Sequence, residues 1–168
     1  MVNQAKDAGL KSVSLVGIHP CNMHYVALNN PTHPEILRLQ DHLTEYHAAV
    51  AEVAAASGAI FIDWRVRFLA ESPGTTIEDA VANHPDSLLL CEANGGGGDG
   101  VHLTIGGYRF LGVAVAQALA PVIASGDTIA CMGDSVTYGY QMTGAGTATG
   151  DTYPAILSRA VGFLPQGE

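Results

Sequence analysis

A serine, a histidine and an aspartate in two separate segments have the residue types of a nucleophilic site. Ser135 lies in "TIACMGDSVTYGYQ", just after an apolar run and Gly133. A serine hydroxyl is a weak nucleophile unless a base lies within hydrogen-bond reach and a third group orients that base. Asp99 precedes His102 by three residues in "DGVH", so its carboxylate can hold one ring nitrogen and leave the other free. These side chains are therefore candidates for a nucleophile, a base and an orienting acid.

Each of these residues also has a purely structural interpretation. A serine after Gly-Asp is often only a turn residue, and Asp134 is predicted to bond its own turn. His19, Cys21 and His24 have spacings that a metal could use, but they lack a fourth ligand, which favours a solvated loop and no metal. The glycine run at 95–98 has no following lysine and therefore does not predict a phosphate loop. Only the serine and histidine segments, taken together, predict chemistry.

Apolar runs that alternate with helical patterns predict the elements that hold these residues. Helical patterns cover residues 1–9, 34–57, 104–124 and 151–162, and strand patterns cover residues 12–18, 59–63 and 128–134. The alternation of helix and strand is typical of a parallel sheet with helices on its faces. In such folds the site lies at the carboxyl ends of the strands, where Ser135 is predicted to be. Residues 64–87 predict a weak helix, and 88–91 a short edge strand.

Size and charge limit the classes of protein to consider. The 168 residues predict a single domain, 1–168, and a net charge of −9 argues against a nucleic-acid partner. No apolar stretch is long enough to cross a membrane, and the first residues lack the apolar core of a signal peptide. Three widely spaced cysteines predict buried thiols and leave the compartment open. Trp64 and Tyr140 either line a substrate pocket or simply pack.

Two longer segments resemble one enzyme family. "GDSVTYGYQ" followed by "DTYPAIL" is similar to the nucleophile segment of the SGNH, or GDSL, hydrolases, and "DGVHLTIGGYRFLG" resembles their acid-and-base segment. The resemblance implies an α/β/α three-layer sandwich with a parallel, flavodoxin-like sheet, with Ser135 as nucleophile, His102 as general base and Asp99 as its orienting acid. It implies an esterase that removes short acyl groups, notably acetyl groups of carbohydrates, through an acyl-enzyme and without a cofactor.

The segments occur in the reverse of the family's order. The acid-and-base segment comes first here, and its helix runs through 124–127 into the serine segment, as in a circular permutation. The family's oxyanion glycine segment and its Gly-x-Asn-Asp segment are absent from this sequence. Of the expected oxyanion donors only the backbone N–H of Ser135 carries over, with Asn94 or Asn22 as possible substitutes. Loss of one donor costs about 3 to 4 kcal/mol of transition-state stabilisation.

The absent segments also include the strands that flank the serine strand in this family. Without them the sheet would have a gap with unpaired backbone groups. The sequence therefore predicts a homo-oligomer, or a companion chain, that completes the sheet, and a rearranged strand order within the chain is the alternative. The alternative functions are a catalytically impaired binding module with this fold, and a thioesterase or lysophospholipase.

Overall fold

The structure is a computed structural model that describes residues 2–21, 26, 32–33, 38–65, 99–124 and 126–162. Within these residues the elements, in chain order, are α1 (Val2–Asp7), β1 (Ser14–Val16), α2 (Leu39–Ser57), β2 (Ile60–Ile62), α3 (Ile105–Leu119), α4 (Ser135–Tyr138) and α5 (Tyr153–Val161). These elements confirm the helices predicted at both ends of the chain and the two strands predicted on either side of α2. The strand predicted at 88–91 and, beyond Arg65, the weak helix predicted within 64–87 lie outside the described residues.

Strands β1 and β2 form a parallel pair with α2 as the crossover. The pairing places Leu15 opposite Phe61, and the Gly17 amide donates to the Ile62 carbonyl at 3.0 Å. Helix α2 ends at Gly58, whose φ of +64° is the left-handed conformation that glycine adopts without steric cost. The Gly58 amide donates back to the Ala54 and Ala55 carbonyls, which ends the helix and turns the chain into β2.

Successive residues of β2 point to opposite sides, as in any strand. The Phe61 ring lies 5.3 Å from the His47 ring of α2, between ring centroids, whereas Ile62 belongs to the core that α3 and α5 complete. Helices α2 and α3 therefore cover opposite faces of the strand pair. The described residues are mixed helix and sheet, and the full three-layer sandwich stays a prediction.

Helices α3 and α5 pack closely beneath the sheet. The Thr104 hydroxyl caps α3 by accepting a hydrogen bond from the Gly107 amide at 3.1 Å. At Gly112 an added Cβ would lie 2.7 Å from the Cγ2 atom of Ile156, so the glycine is what lets the two helices approach. The buried apolar residues here are Leu103, Tyr108, Leu111, Ala114, Val115, Leu119, Ile156 and Leu157. This core supports the segment on which Ser135 lies.

The predicted strand at 128–134 is wrong as a paired strand. The segment carries no strand assignment, and residues 128–133 make no backbone hydrogen bond to the other described residues. A strand needs a neighbour to accept and donate its backbone bonds, and none of the described elements lies beside this one. The side chains of Ile129 and Cys131 nevertheless pack on the core. Exposure does alternate along 128–132, but the strand that would pair with this segment is not among the described elements.

The helices of the structure can be compared with the length and apolarity that a membrane span requires. Among the helices of the described ranges, none is both long and apolar enough to cross a bilayer.

Candidate active site

Asp99, His102 and Ser135 lie in one hydrogen-bonded row. The Asp99 Oδ2 atom is 2.5 Å from His102 Nδ1, and His102 Nε2 is 2.8 Å from Ser135 Oγ. The histidine side chain is 16% exposed and the aspartate 30%, whereas Ser135 is open to solvent. With Asp99 ionised, Nδ1 carries the proton and Nε2 is left to accept the serine proton. The structure thus brings together the three residues that the sequence singled out, and their catalytic role stays a prediction.

A tight turn fixes the carboxylate against the imidazole. The Asp99 Oδ1 atom accepts hydrogen bonds from the backbone amides of Val101 at 2.8 Å and of His102 at 2.9 Å. Gly100, between them, has a φ of +71°, a conformation that residues with a side chain rarely adopt. The turn leads directly into the Thr104 cap of α3. Both carboxylate oxygens are therefore held, one by the backbone and the other by the imidazole.

These contacts favour the ionised form of Asp99. Partial burial by itself raises the pKa of a carboxyl group, but the hydrogen bonds from the His102 ring and from the His102 and Val101 amides outweigh it. The net effect is that the pKa of Asp99 lies below its ordinary value. Asp99 consequently stays charged throughout the neutral range, as an orienting acid requires.

His19 stabilises the turn between Asp99 and His102, a role that the sequence did not predict. Its Nε2 atom lies 2.8 Å from the Val101 carbonyl oxygen, in the middle of the turn between Asp99 and His102. Burial lowers the pKa of His19, so the ring is neutral and Nε2–H can donate to the carbonyl. The only sequence signal was its place just after a strand, at the sheet edge where sites of parallel folds lie.

Trp64 extends this support. Its Nε1–H donates to the Gly17 carbonyl at 2.9 Å, and its ring centroid lies 6.0 Å from that of His19. The indole is fully buried in the core. The structure therefore favours a packing role for Trp64 over a role as a pocket-lining residue. The end of β1 and the turn of Asp99 are therefore linked through His19 and Trp64.

The serine lies at the start of the short helix α4. Asp134 caps this helix, its Oδ1 accepting from the Val136 amide at 2.9 Å, which agrees with the structural role predicted for it. Gly139, with a φ of +79°, ends the helix after one turn. Among the described residues nothing accepts a hydrogen bond from the Ser135 amide, although the amides of Val136 and Tyr138 are bonded. That N–H is thus free to serve a ligand.

Tyr140 lies over the imidazole. Its ring centroid is 4.3 Å from that of His102, with the planes tilted by 37°. The tyrosine is 43% exposed, so one side of the ring covers the base and the other faces solvent. The sequence left open whether Tyr140 lines a substrate pocket or simply packs, and this position beside His102 fits a pocket residue.

Open grooves flank the serine segment on both sides. The first, of about 600 Å³, separates it from β1 and is covered by α2 on one face and α3 on the other. The second, of about 660 Å³, lies between the same segment and the residues around Thr147 and Pro154. Both grooves reach Asp134, next to the nucleophile. Segment 128–133 therefore has open space on both sides.

The metal interpretation gains no support from the described residues. They contain no cluster of three or more His, Cys, Asp or Glu side chains that could hold a metal ion. Burial raises the pKa of the Cys21 thiol to about 12. His19 is already bonded to Val101, and His24 lies outside the described residues, as do the candidate donors Asn22 and Asn94.

Comparisons with known proteins found no counterpart. No protein-family model, no curated protein and no solved structure matches this chain. The resemblance to the SGNH hydrolases therefore depends on the two quoted segments alone.

Proposed function

We propose that the protein is a serine hydrolase of short-chain acyl esters. The observation that carries the proposal is the row Asp99 Oδ2, His102 Nδ1, His102 Nε2 and Ser135 Oγ, with contacts of 2.5 Å and 2.8 Å and an exposed serine. A serine with only a structural role in a turn would not require a hydrogen bond to an imidazole that is itself bonded to a carboxylate. The fold that we propose around it is a permuted SGNH-type three-layer sandwich in one domain, with the junction near 124–127.

In the proposed acylation step, Ser135 Oγ attacks the ester carbonyl carbon while His102 Nε2 takes the hydroxyl proton. The charge that develops on the carbonyl oxygen is stabilised by the free Ser135 amide. The tetrahedral intermediate then expels the alcohol, which receives the proton from His102, and leaves the acyl group on Ser135. Asp99 keeps the proton of the imidazole on Nδ1 and stabilises the imidazolium that forms.

Deacylation repeats the sequence with water. His102 Nε2 takes a proton from water, whose oxygen attacks the acyl carbonyl, and the collapse of the second intermediate returns the proton to Ser135 Oγ. The acid leaves and the resting state is restored. Every proton in this cycle moves through His102, so no metal or organic cofactor is required.

The proposed substrate is a short acyl ester, with acetyl groups on carbohydrates as the preferred class. The exposed ring of Tyr140 beside His102 provides a flat, partly apolar surface of the kind that sugars and small acyl groups contact. A thioester or lysophospholipid substrate is the alternative within the same chemistry. A panel of p-nitrophenyl esters graded from acetyl to decanoyl separates them, since a short-chain esterase loses kcat/KM as the acyl chain lengthens.

A non-catalytic binding module is the second candidate. It is favoured because, of the oxyanion donors that the family resemblance implies, only the Ser135 amide carries over to this sequence. Loss of one donor from such a site typically lowers kcat by about 10² to 10³, so two missing donors would leave little turnover. A second copy of the chain, or a companion chain, that brings the missing donors and completes the sheet is part of the proposed function.

Turnover of p-nitrophenyl acetate tests the proposal. The protein should hydrolyse the ester at a rate well above buffer, and Ser135→Ala should lower kcat by about 10⁵ to 10⁶. Ser12→Ala, before β1, is the matched control, because Ser12 is exposed and lines neither groove. Equal turnover by wild type and Ser135→Ala would eliminate the mechanism. A folded wild type with no turnover would favour the binding module.

A further inference from the structure

The groove between β1 and residues 128–133 has the features of an empty strand position. In β1 the Val13 carbonyl accepts from Ile60 and the Gly17 amide donates to Ile62, so the backbone groups of alternate residues face β2. The intervening residues, Ser14 and Val16, must then direct their N–H and C=O groups away from β2, because these groups alternate sides along a strand. They face the groove, and β1 has β2 as its one partner among the described strands.

The opposite wall of the groove also presents unpaired backbone. Exposure alternates from one residue to the next along 128–132, as it does in an extended segment, and residues 128–133 make no backbone hydrogen bond to the other described residues. Met132, on this wall, is 90% exposed, an unusual position for a large apolar side chain next to a core. The backbone N–H and C=O groups on both walls of the groove need hydrogen-bond partners. A β-strand can pair with both walls at once, because it carries N–H and C=O groups along each of its two edges.

The other two walls are apolar. Helix α2 presents Tyr46, Val50 and Val53 on one side, and α3 presents Leu111, Val115 and Leu119 on the other. Asp134, at the end next to Ser135, is the one lining residue with a formal charge among those described. A strand covered by helices on both faces is typically a continuous apolar run. The occupant is therefore uncharged and apolar on both faces, and five residues of it would span about 16 Å.

We propose that this groove accepts one apolar β-strand from a companion polypeptide. The described strands of a second copy are not available for this position, since β1 and β2 are already paired and 128–133 packs on its own core through Ile129 and Cys131. The donated strand instead bonds Ser14 and Val16 along one edge and residues 128–133 along the other. The proposal rests on the sheet completion that is part of the proposed function, and it does not depend on any chemistry at Ser135.

A peptide selection with a proline variant tests it. The probe is a displayed library of random ten-residue peptides, selected on the wild-type protein. Selected peptides should carry runs of apolar, β-branched residues, and hydrogen exchange should show protection of the Ser14 and Val16 amides and of residues 129–133. Val16→Pro should weaken their binding at least about tenfold, because it removes a groove-facing donor. Proline is tolerated there, since that N–H has no partner in β1 and β2.

Two controls keep the result interpretable. Ser14→Pro removes the other groove-facing donor and replaces Val16→Pro if the latter lowers the melting temperature. Asp7→Asn on α1 is the control variant, because Asp7 is exposed and does not line the groove. The proposal is overturned if no selected peptide depends on Val16 or Ser14, or if these amides are already protected in the protein alone. A stable dimer that Val16→Pro converts to monomer would overturn the choice of a companion polypeptide.

Discussion

The Asp99→Asn variant isolates the orienting role of the carboxylate. Asparagine keeps an Oδ1 atom that can accept from the Val101 and His102 amides, which lie 2.8 Å and 2.9 Å from the aspartate oxygen. The other oxygen, 2.5 Å from His102 Nδ1, becomes an amide nitrogen that can only donate. Nδ1 must then be the acceptor, so the ring proton moves to Nε2 and faces Ser135 Oγ at 2.8 Å. A protonated Nε2 cannot take the serine proton.

The expected loss follows from that change of tautomer. The same substitution in serine proteases leaves the geometry intact and lowers kcat by about 10⁴, which corresponds to about 5.4 kcal/mol of activation free energy. We expect a fall of this size in kcat for p-nitrophenyl acetate at pH 7.5, with a modest change in stability, since the backbone contacts of the turn survive. Asp41→Asn, the same chemical change on the exposed surface of α2, should leave kcat unchanged. A folded Asp99→Asn protein with kcat within tenfold of wild type would refute the reasoning.

Other variants test the support of the site, the core and the substrate surface. His19→Gln should reduce the pH dependence of the free energy of unfolding. Burial lowers the pKa of His19 in the folded state, so the wild type has its full stability above the pKa of about 6.5 that histidine has in the unfolded chain. Below that pH the free energy of unfolding declines by up to about 1.4 kcal/mol per pH unit. Urea unfolding at pH 7.5 and 5.5 measures this, and an equal decline in both proteins would contradict it. Gly112→Val should destabilise the protein by about 1 to 3 kcal/mol through overlap with Ile156, and an unchanged urea midpoint would contradict the close packing of α3 and α5. Tyr140→Ala should raise KM for an acetylated sugar about threefold to tenfold, and an unaltered KM would remove the tyrosine from the substrate surface.

The sequence predicted the local features well because their causes are local. Helix α3 begins at the Thr104 cap and α2 ends at Gly58, both positions that the residue types indicate by themselves. The row of Asp99 and His102 was predictable because a carboxylate three residues before an imidazole can reach it within one turn. That Ser135 meets them came from the family resemblance, and the contact across 33 residues of chain has no local signal.

Features that depend on distant neighbours were not predictable. Segment 128–134 has the alternation of a strand, but pairing requires a second strand, and pattern alone cannot say whether one is present. The strands β1 and β2 are shorter than the apolar runs that predict them, because only the paired residues form the ladder. The sequence predicts only a loop at His19, and no local pattern indicates its hydrogen bond to Val101, which lies 82 residues away in the chain.

Mass spectrometry of the protein after reaction with a fluorophosphonate tests the central claim most directly. The account predicts one adduct, on the Ser135 hydroxyl, that forms in the wild type and is lost in His102→Ala while that variant remains folded. Labelling of Ser135 that proceeds equally without the imidazole, or a folded wild type that is not labelled at Ser135, would contradict the claim that the imidazole activates this serine.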